Sequence, residues 1–193
     1  MSASPSDDRS APARPASQII PQPIEWLWPG RLACGKLAML DGDPERGKSL
    51  VTLDLCARLS TGRPLPDGSP VSGPCNSLVL NGEDGTADTF QPRLKSLGAD
   101  LDRVFFLHGE TSGAIEPLRL PTQASVLAAA LVQTGARLVV IDPIMAFLDQ
   151  WVLTSSDQSV RRALFPLAQL AELHRCVIIL VRHFNKTAGR HAM

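Results

Sequence analysis

The stretch Leu37-Ala-Met-Leu-Asp-Gly-Asp-Pro-Glu-Arg-Gly-Lys-Ser-Leu50 decides the fold. Its apolar run, Leu37 to Leu40, reads as a buried strand that stops at Gly42. Leu50, Leu53, Leu55, Cys56 and Leu59 then recur as on an amphipathic helix. Between strand and helix lies Gly42-x-x-x-x-Gly47-Lys48-Ser49, a spacing that chance supplies in under about one per cent of chains this long. Gly42 and Gly47 permit backbone angles that other residues resist, so the chain through Asp43, Pro44, Glu45, Arg46 and Gly47 can wrap an anion with its N–H groups. A helix that begins near Lys48, with Ser49 and Leu50 in its first turn, aims its positive dipole end at the same anion. Lys48 adds a mobile point charge suited to β- and γ-phosphates, and the Ser49 hydroxyl can ligate Mg²⁺.

The bounds on the rest of the chain are broad. Its 193 residues suffice for one domain with a sizeable core. Nineteen basic residues balance nineteen acidic ones, so no global charge steers the chain toward nucleic acid. Cys34, Cys56, Cys75 and Cys176 contain no C-x-x-C pair, and the expected state is reduced, mostly buried thiols. No apolar run is long enough to span a membrane and no secretory apolar region opens the chain, so a cytoplasmic protein is expected. Residues 1–23 are rich in Ser, Pro and Ala and read as a disordered leader before a core covering 24–193. Trp26 and Trp28 follow it, either packed against the core edge or offering a platform for a nucleotide base.

Downstream, four more strands are expected. Ser77 to Asn81 runs into Gly82-Glu83-Asp84-Gly85, and carboxylates at the C-terminal end of such a strand sit where α/β sheets bind ligands. Glu83 and Asp84 can activate a water or hold a metal's hydration shell, and Asp84 alternatively caps a helix from Ala87 to Leu97. Arg103 to His108 gives a short strand, residues 111–121 read as irregular, and a helix is expected from Thr122 to Thr134. Arg137-Leu-Val-Val-Ile-Asp142-Pro143 suits a central parallel strand buried on both faces, ending in a carboxylate placed to hold Mg²⁺. Ile144 to Asp157 reads as a loop carrying Trp151, followed by a helix over 158–173 that Pro166 should kink or break. On that helix Arg161 and Arg162 suit a solvated face or, less simply, a phosphate. Cys176 to Arg182 is the last strand, ending in His183, Asn185 and Lys186, which either form a polar loop or face a γ-phosphate. The fold class is α/β: a three-layer α-β-α sandwich around a mostly parallel sheet of at least five strands.

A phosphate loop with Gly42-Asp43-Pro44, then strands ending Glu83-Asp84, Asp142-Pro143 and His183-Phe-Asn-Lys186, occur in that order. This resembles the RecA-like AAA-domain ATPases related to the plasmid replicative helicase RepA, over residues 24 to 190. The resemblance implies a P-loop NTPase that binds ATP and Mg²⁺, with Lys48 and Ser49 on phosphate and metal. It implies that Asp142 is the Walker B carboxylate and that Glu83 is the catalytic base. His183 would take the sensor position, and Lys186 would lie close to the γ-phosphate or a neighbouring subunit. It further implies homo-oligomeric rings and single-stranded DNA as a partner, with the loops around 144–157 and after Lys186 facing a central channel.

Two features depart from that pattern. Position 45, often Gly in the family, is Glu45, whose carboxylate is expected to point away from a polyphosphate. The sequence also ends seven residues after Lys186, so the family's later strands and its trans-acting arginine are expected to be missing. Because such an arginine typically contributes about 10³–10⁵ in rate, turnover is expected to be slow. Three functions remain open on these residues: an ATPase motor on DNA in replication, repair or mobile-element maintenance, a nucleotide-dependent regulatory switch, and a small-molecule kinase.

Overall fold

The computed structural model describes residues 13–82, 85–111 and 114–183. Strands β1 (Trp26–Trp28) and β2 (Leu32–Ala33) form a small antiparallel hairpin ahead of the main sheet. Then come β3 (Leu37–Gly42), α1 (Lys48–Thr61), β4 (Ser77–Asn81), a turn of π-helix (Thr86–Phe90), α2 (Gln91–Ser96) and β5 (Val104–Phe106). A two-stranded ribbon, β6 (Gly109–Thr111) with β7 (Ala114–Glu116), leads to α3 (Ala124–Thr134) and β8 (Leu138–Asp142). The last described elements are α4 (Ile144–Phe147), α5 (Asp157–His174) and β9 (Val177–His183).

Five strands pair in the order β3-β9-β8-β4-β5, and every pairing is parallel. The period of two along each strand sorts the side chains onto two faces. Leu78, Leu80, Val139, Ile141, Ile178 and Leu180 meet α3, α4 and α5 through Leu127, Leu131, Phe147, Ala163 and Leu167. Val79, Leu138, Val140, Val177, Ile179 and Val181 meet α1 and the α2 region through Leu53, Leu59, Phe90 and Leu94. All five residues of β8 are buried, as a central parallel strand covered on both faces requires. This is the three-layer α/β sandwich of a P-loop NTPase.

Several local expectations change. Thr111 and Ala114–Glu116 belong to the β6–β7 ribbon, within the stretch 111–121 where irregular chain was expected. The segment after Asp142 is not wholly loop: Ile144 and Phe147 are buried on the short helix α4, because apolar residues directly below a strand end fold back into the core. Asp149 anchors the remainder, accepting hydrogen bonds from the Thr122 amide (3.0 Å) and hydroxyl (2.8 Å), while Trp151 stays exposed. Pro166 does not break α5, which runs unbroken from Asp157 to His174. The carbonyl that Pro166 leaves without its amide is that of Arg162, on the exposed side of the helix where water can serve it. Of the four cysteines, all free, Cys56 and Cys176 are buried and Cys34 and Cys75 half-buried.

The hairpin and its approach are fastened to the sheet at the end opposite the phosphate loop. Trp28 packs on the α1 side, donates through Nε1 to Asp67 at 2.8 Å and lies under Arg31, while Trp26 is exposed. Of the two placements open from the sequence, Trp28 takes the one against the core edge. Glu25 accepts from Arg175 Nη2 at 2.6 Å and from Arg137, joining the chain before β1 to the starts of β8 and β9. Hydrogen bonds from Arg175 first and Arg137 second hold the Glu25 carboxyl below its ordinary range. A carboxylate lowered in the folded state stabilises the fold above its unfolded pKa and loses that contribution as pH falls through the folded value. Replacing Glu25 by Gln is expected to lower the melting temperature by about 2–4 °C at neutral pH. In thermal scans that gap should close as the pH is taken below about 4.

Candidate functional site

The loop after β3 is shaped by two left-handed residues. Gly47 has φ +78° and caps α1 without a side chain, leaving the first amides of that helix directed forward. Glu45 has φ +61°, the conformation that glycine adopts most readily and a glutamate resists. Its side chain is exposed, in keeping with a carboxylate turned away from the loop interior. Asp43 and Arg46 are exposed as well, and Pro44 is half-buried.

Lys48 is the buried member of the motif, 8% exposed. Its Nζ donates to the carbonyls of Gly42 at 2.8 Å and Asp43 at 2.6 Å. Those bonds fold the side chain back over its own loop, so the ammonium charge sits inside the curve formed by Gly42–Gly47. A Cβ built on Gly42 would lie 3.6 Å from Lys48 Cδ, an ordinary contact, so the close packing there comes from the lysine's aliphatic stem. Ser49 and Leu50 occupy the first turn of α1, the former half-buried and the latter exposed.

The parallel sheet brings the other strand ends to the same edge of the molecule. Gly42 pairs in register with His183, and Asn81 with Asp142. Since Ile141 pairs with Leu180, Asp142 closes β8 beside β9, between the ends of β9 and β4. Asp142 is 3% exposed, so its carboxylate is nearly out of water. Glu83, Asp84, Asn185 and Lys186 lie outside the described residues. Gly82, the last described residue before Glu83, follows β4 and donates from its amide to the Asp142 carbonyl at 3.0 Å.

Oxygen donors suit Mg²⁺, which takes one or two protein ligands and completes its octahedron with water and substrate phosphate. Ser49 and Asp142 supply a hydroxyl and a carboxylate, hard ligands of that kind. Among the described residues no three His, Cys, Asp or Glu side chains converge as a self-sufficient metal cage. The donor set fits a cation that arrives with a phosphate.

Three contributors to the site were not singled out from the sequence. Asp41 and Arg182, adjacent in register, form a two-pronged ion pair at 2.9 and 2.8 Å one step below the Gly42–His183 pair. Asp41 raises the Arg182 pKa further, and the fork pins β3 to β9 just beneath the phosphate loop. Nothing in the one-dimensional pattern links positions 141 residues apart. Gly82 is the third: a Cβ there would meet the Ala146 methyl at 2.7 Å, so only glycine lets α4 close against the exit of β4. An apolar cavity of about 280 Å³ opens beside His183, walled by Met39, Ile144, Met145, Leu148 and Arg182.

The helix expected from Ala87 to Leu97 instead opens with the π turn Thr86–Phe90 and becomes regular only at Gln91. Such turns recur at functional sites, and this one follows directly on the Glu83 segment. His108 lies outside the strands, within 3.3 Å of the Thr86 hydroxyl and stacked on Phe106.

A search of the curated proteins finds no match. The model of an AAA-domain family, by contrast, matches residues 4–189, which takes in the phosphate loop, every strand of the sheet and the converging strand ends. The loop, the parallel topology and that match agree, and the chain belongs to this AAA-domain family of P-loop ATPases.

Proposed function

We propose that this protein binds ATP with Mg²⁺ and hydrolyses it as a RecA- and RepA-like motor acting in DNA replication, repair or mobile-element maintenance. The observation that carries the ATP site is Lys48, buried and anchored by the Gly42 and Asp43 carbonyls inside a loop that runs into the N-terminus of α1. In that position the ammonium meets the β- and γ-phosphates while the loop amides and the helix end meet their oxygens. Ser49 and Asp142 would hold the cation, which neutralises charge on the phosphate oxygens when bound. Phosphoryl transfer leaves the protein mainly the work of positioning and electrostatic stabilisation. Glu83, leaving β4 next to Asp142, is proposed to orient the attacking water. His183, opposite Gly42, is proposed to donate toward the γ-phosphate and register its loss.

The step from ATPase to DNA motor is supported by the family resemblance and not by a basic surface, since the chain is neutral overall. The deciding experiment measures ATP turnover with and without single-stranded DNA, alongside the mass of the oligomer in ATP. Stimulation by DNA together with a ring supports the motor. ATP binding with negligible turnover under both conditions would instead make the protein a nucleotide-dependent switch, and transfer of phosphate to a small acceptor would make it a kinase.

Replacing Lys48 by Ala is expected to weaken ATP binding by about 10- to 100-fold, the loss of one charge-assisted contact pair, measured by calorimetry. Undiminished affinity would overturn the assignment of the site. Glu83→Gln is expected to spare ATP binding and abolish turnover; unchanged turnover would move the base to Asp84. For Glu45→Gly, titration should show an affinity within about twofold of the parent if, as proposed, the exposed native carboxylate points away from the phosphates. A tenfold gain would show that it faces the phosphates.

A further inference from the structure

Only Glu83 and Asp84 separate Gly82 from Gly85, and both glycines are fastened. On one side the Gly82 amide donates to the Asp142 carbonyl at 3.0 Å. On the other, the Gly85 carbonyl accepts from the amides of Thr89 at 3.1 Å and Phe90 at 3.2 Å. The Asp88 carboxylate also fills the space that a Cβ on residue 85 would take. Gly85 is therefore tied into the π turn Thr86–Phe90, and whatever holds that turn sets one boundary for residue 83. We infer that His108, acting through the Thr86 hydroxyl, is a positioning residue for ATP hydrolysis, a role that rests on Glu83 being the water-orienting residue proposed above.

The turn meets the exit of β5 at both of its ends. Thr86 Oγ1 lies 3.3 Å from His108 Nε2, and because a hydroxyl can donate or accept, the pair can bond in either imidazole tautomer. The His108 ring stacks on Phe106, with centroids 6.5 Å apart and planes 10° from parallel. Phe106 in turn meets Phe90 edge-on, with centroids 6.0 Å apart. The Leu107 amide donates to the Val79 carbonyl at 2.9 Å, so the residue before His108 is still bonded to β4. The imidazole is thus carried by the strand beside β4 and reaches over to the turn that follows β4.

The two ends are held unequally. Phe90 is buried in the core with Leu94 and Val104. Thr86 is half-buried and borders a cavity of about 520 Å³, walled by Gln91, Leu94, Leu101, Val104 and Phe106. Open space supplies no packing to resist a shift of that residue. The side-chain restraint at the end nearer Glu83 is then the hydroxyl–imidazole bond. Placement matters there because an error of about 1 Å, even one arising away from the reacting atoms, can cost on the order of 10²-fold in rate.

The test uses the full chain with Mg²⁺ and measures turnover at saturating ATP beside ATP affinity by calorimetry. Thr86→Val, which exchanges the hydroxyl for a methyl of like size, is expected to lower kcat about tenfold with affinity within about twofold of the parent. His108→Ala should lower kcat by a similar factor, and the double variant should be no slower than the slower single, as for two partners in one bond. Thr86→Ser keeps the hydroxyl and should hold kcat within about twofold of the parent. Full kcat in Thr86→Val, additive losses in the double variant, Thr86→Ser as slow as Thr86→Val, or affinity falling as far as kcat would each overturn the inference while Glu83→Gln stays inactive. Negligible turnover in the parent, or parental turnover in Glu83→Gln, would instead remove the reading of Glu83 and the role of His108 with it.

Discussion

The site depends on the in-register parallel pairing of β3 with β9. That pairing sets Gly42 opposite His183, and the Asp41–Arg182 fork fixes it one residue earlier. A one-residue slip would turn Leu37 and Leu40 each to the wrong face and separate the phosphate loop from the end of β9. The apolar sorting of β9 resists such a slip, since Ile178 and Leu180 serve one core while Val177, Ile179 and Val181 serve the other. Burial on two faces thus secures a polar alignment at the strand ends.

Charge is treated differently at the two ends of the sheet. At the phosphate-loop end, Lys48 and Asp142 are held nearly out of water, where an incoming anion and its cation would meet little competition from solvent. At the opposite end, Glu25, Arg137 and Arg175 remain a third or more exposed and act as fasteners between distant segments. Partly hydrated ion pairs contribute modestly to stability. Their value here is in closing chain separations of 112 and 150 residues.

Much of this was legible in the sequence because the decisive signals are local. Gly42–Ser49 declares its own turn, and the run Leu138 to Ile141 declares a strand covered on both faces. The order of strand ends then follows from the parallel sheet. What escaped is what only the third dimension creates. The Asp41–Arg182 fork and the Glu25 clasp join residues with no sequence relation. Helix α4 is too short for periodicity to show, and the β1–β2 hairpin has only three and two residues in its strands. Of the kink or break expected at Pro166, the break does not occur, because a proline costs a helix least where the unmatched carbonyl faces water. Glu45 was correctly read as unusual, but only φ +61° reveals that the departure lies in the backbone as much as in the charge.

The Ala146 methyl resting where a Cβ of residue 82 would be gives that glycine a mechanical meaning. Helix α4 leaves the strand that ends in Asp142, and Gly82 leaves the neighbouring strand toward Glu83; the two exits touch with no side chain to act as a spacer. A side chain introduced at position 82 would have to displace Ala146 and Phe147, so it would act as a wedge between α4 and the end of β4.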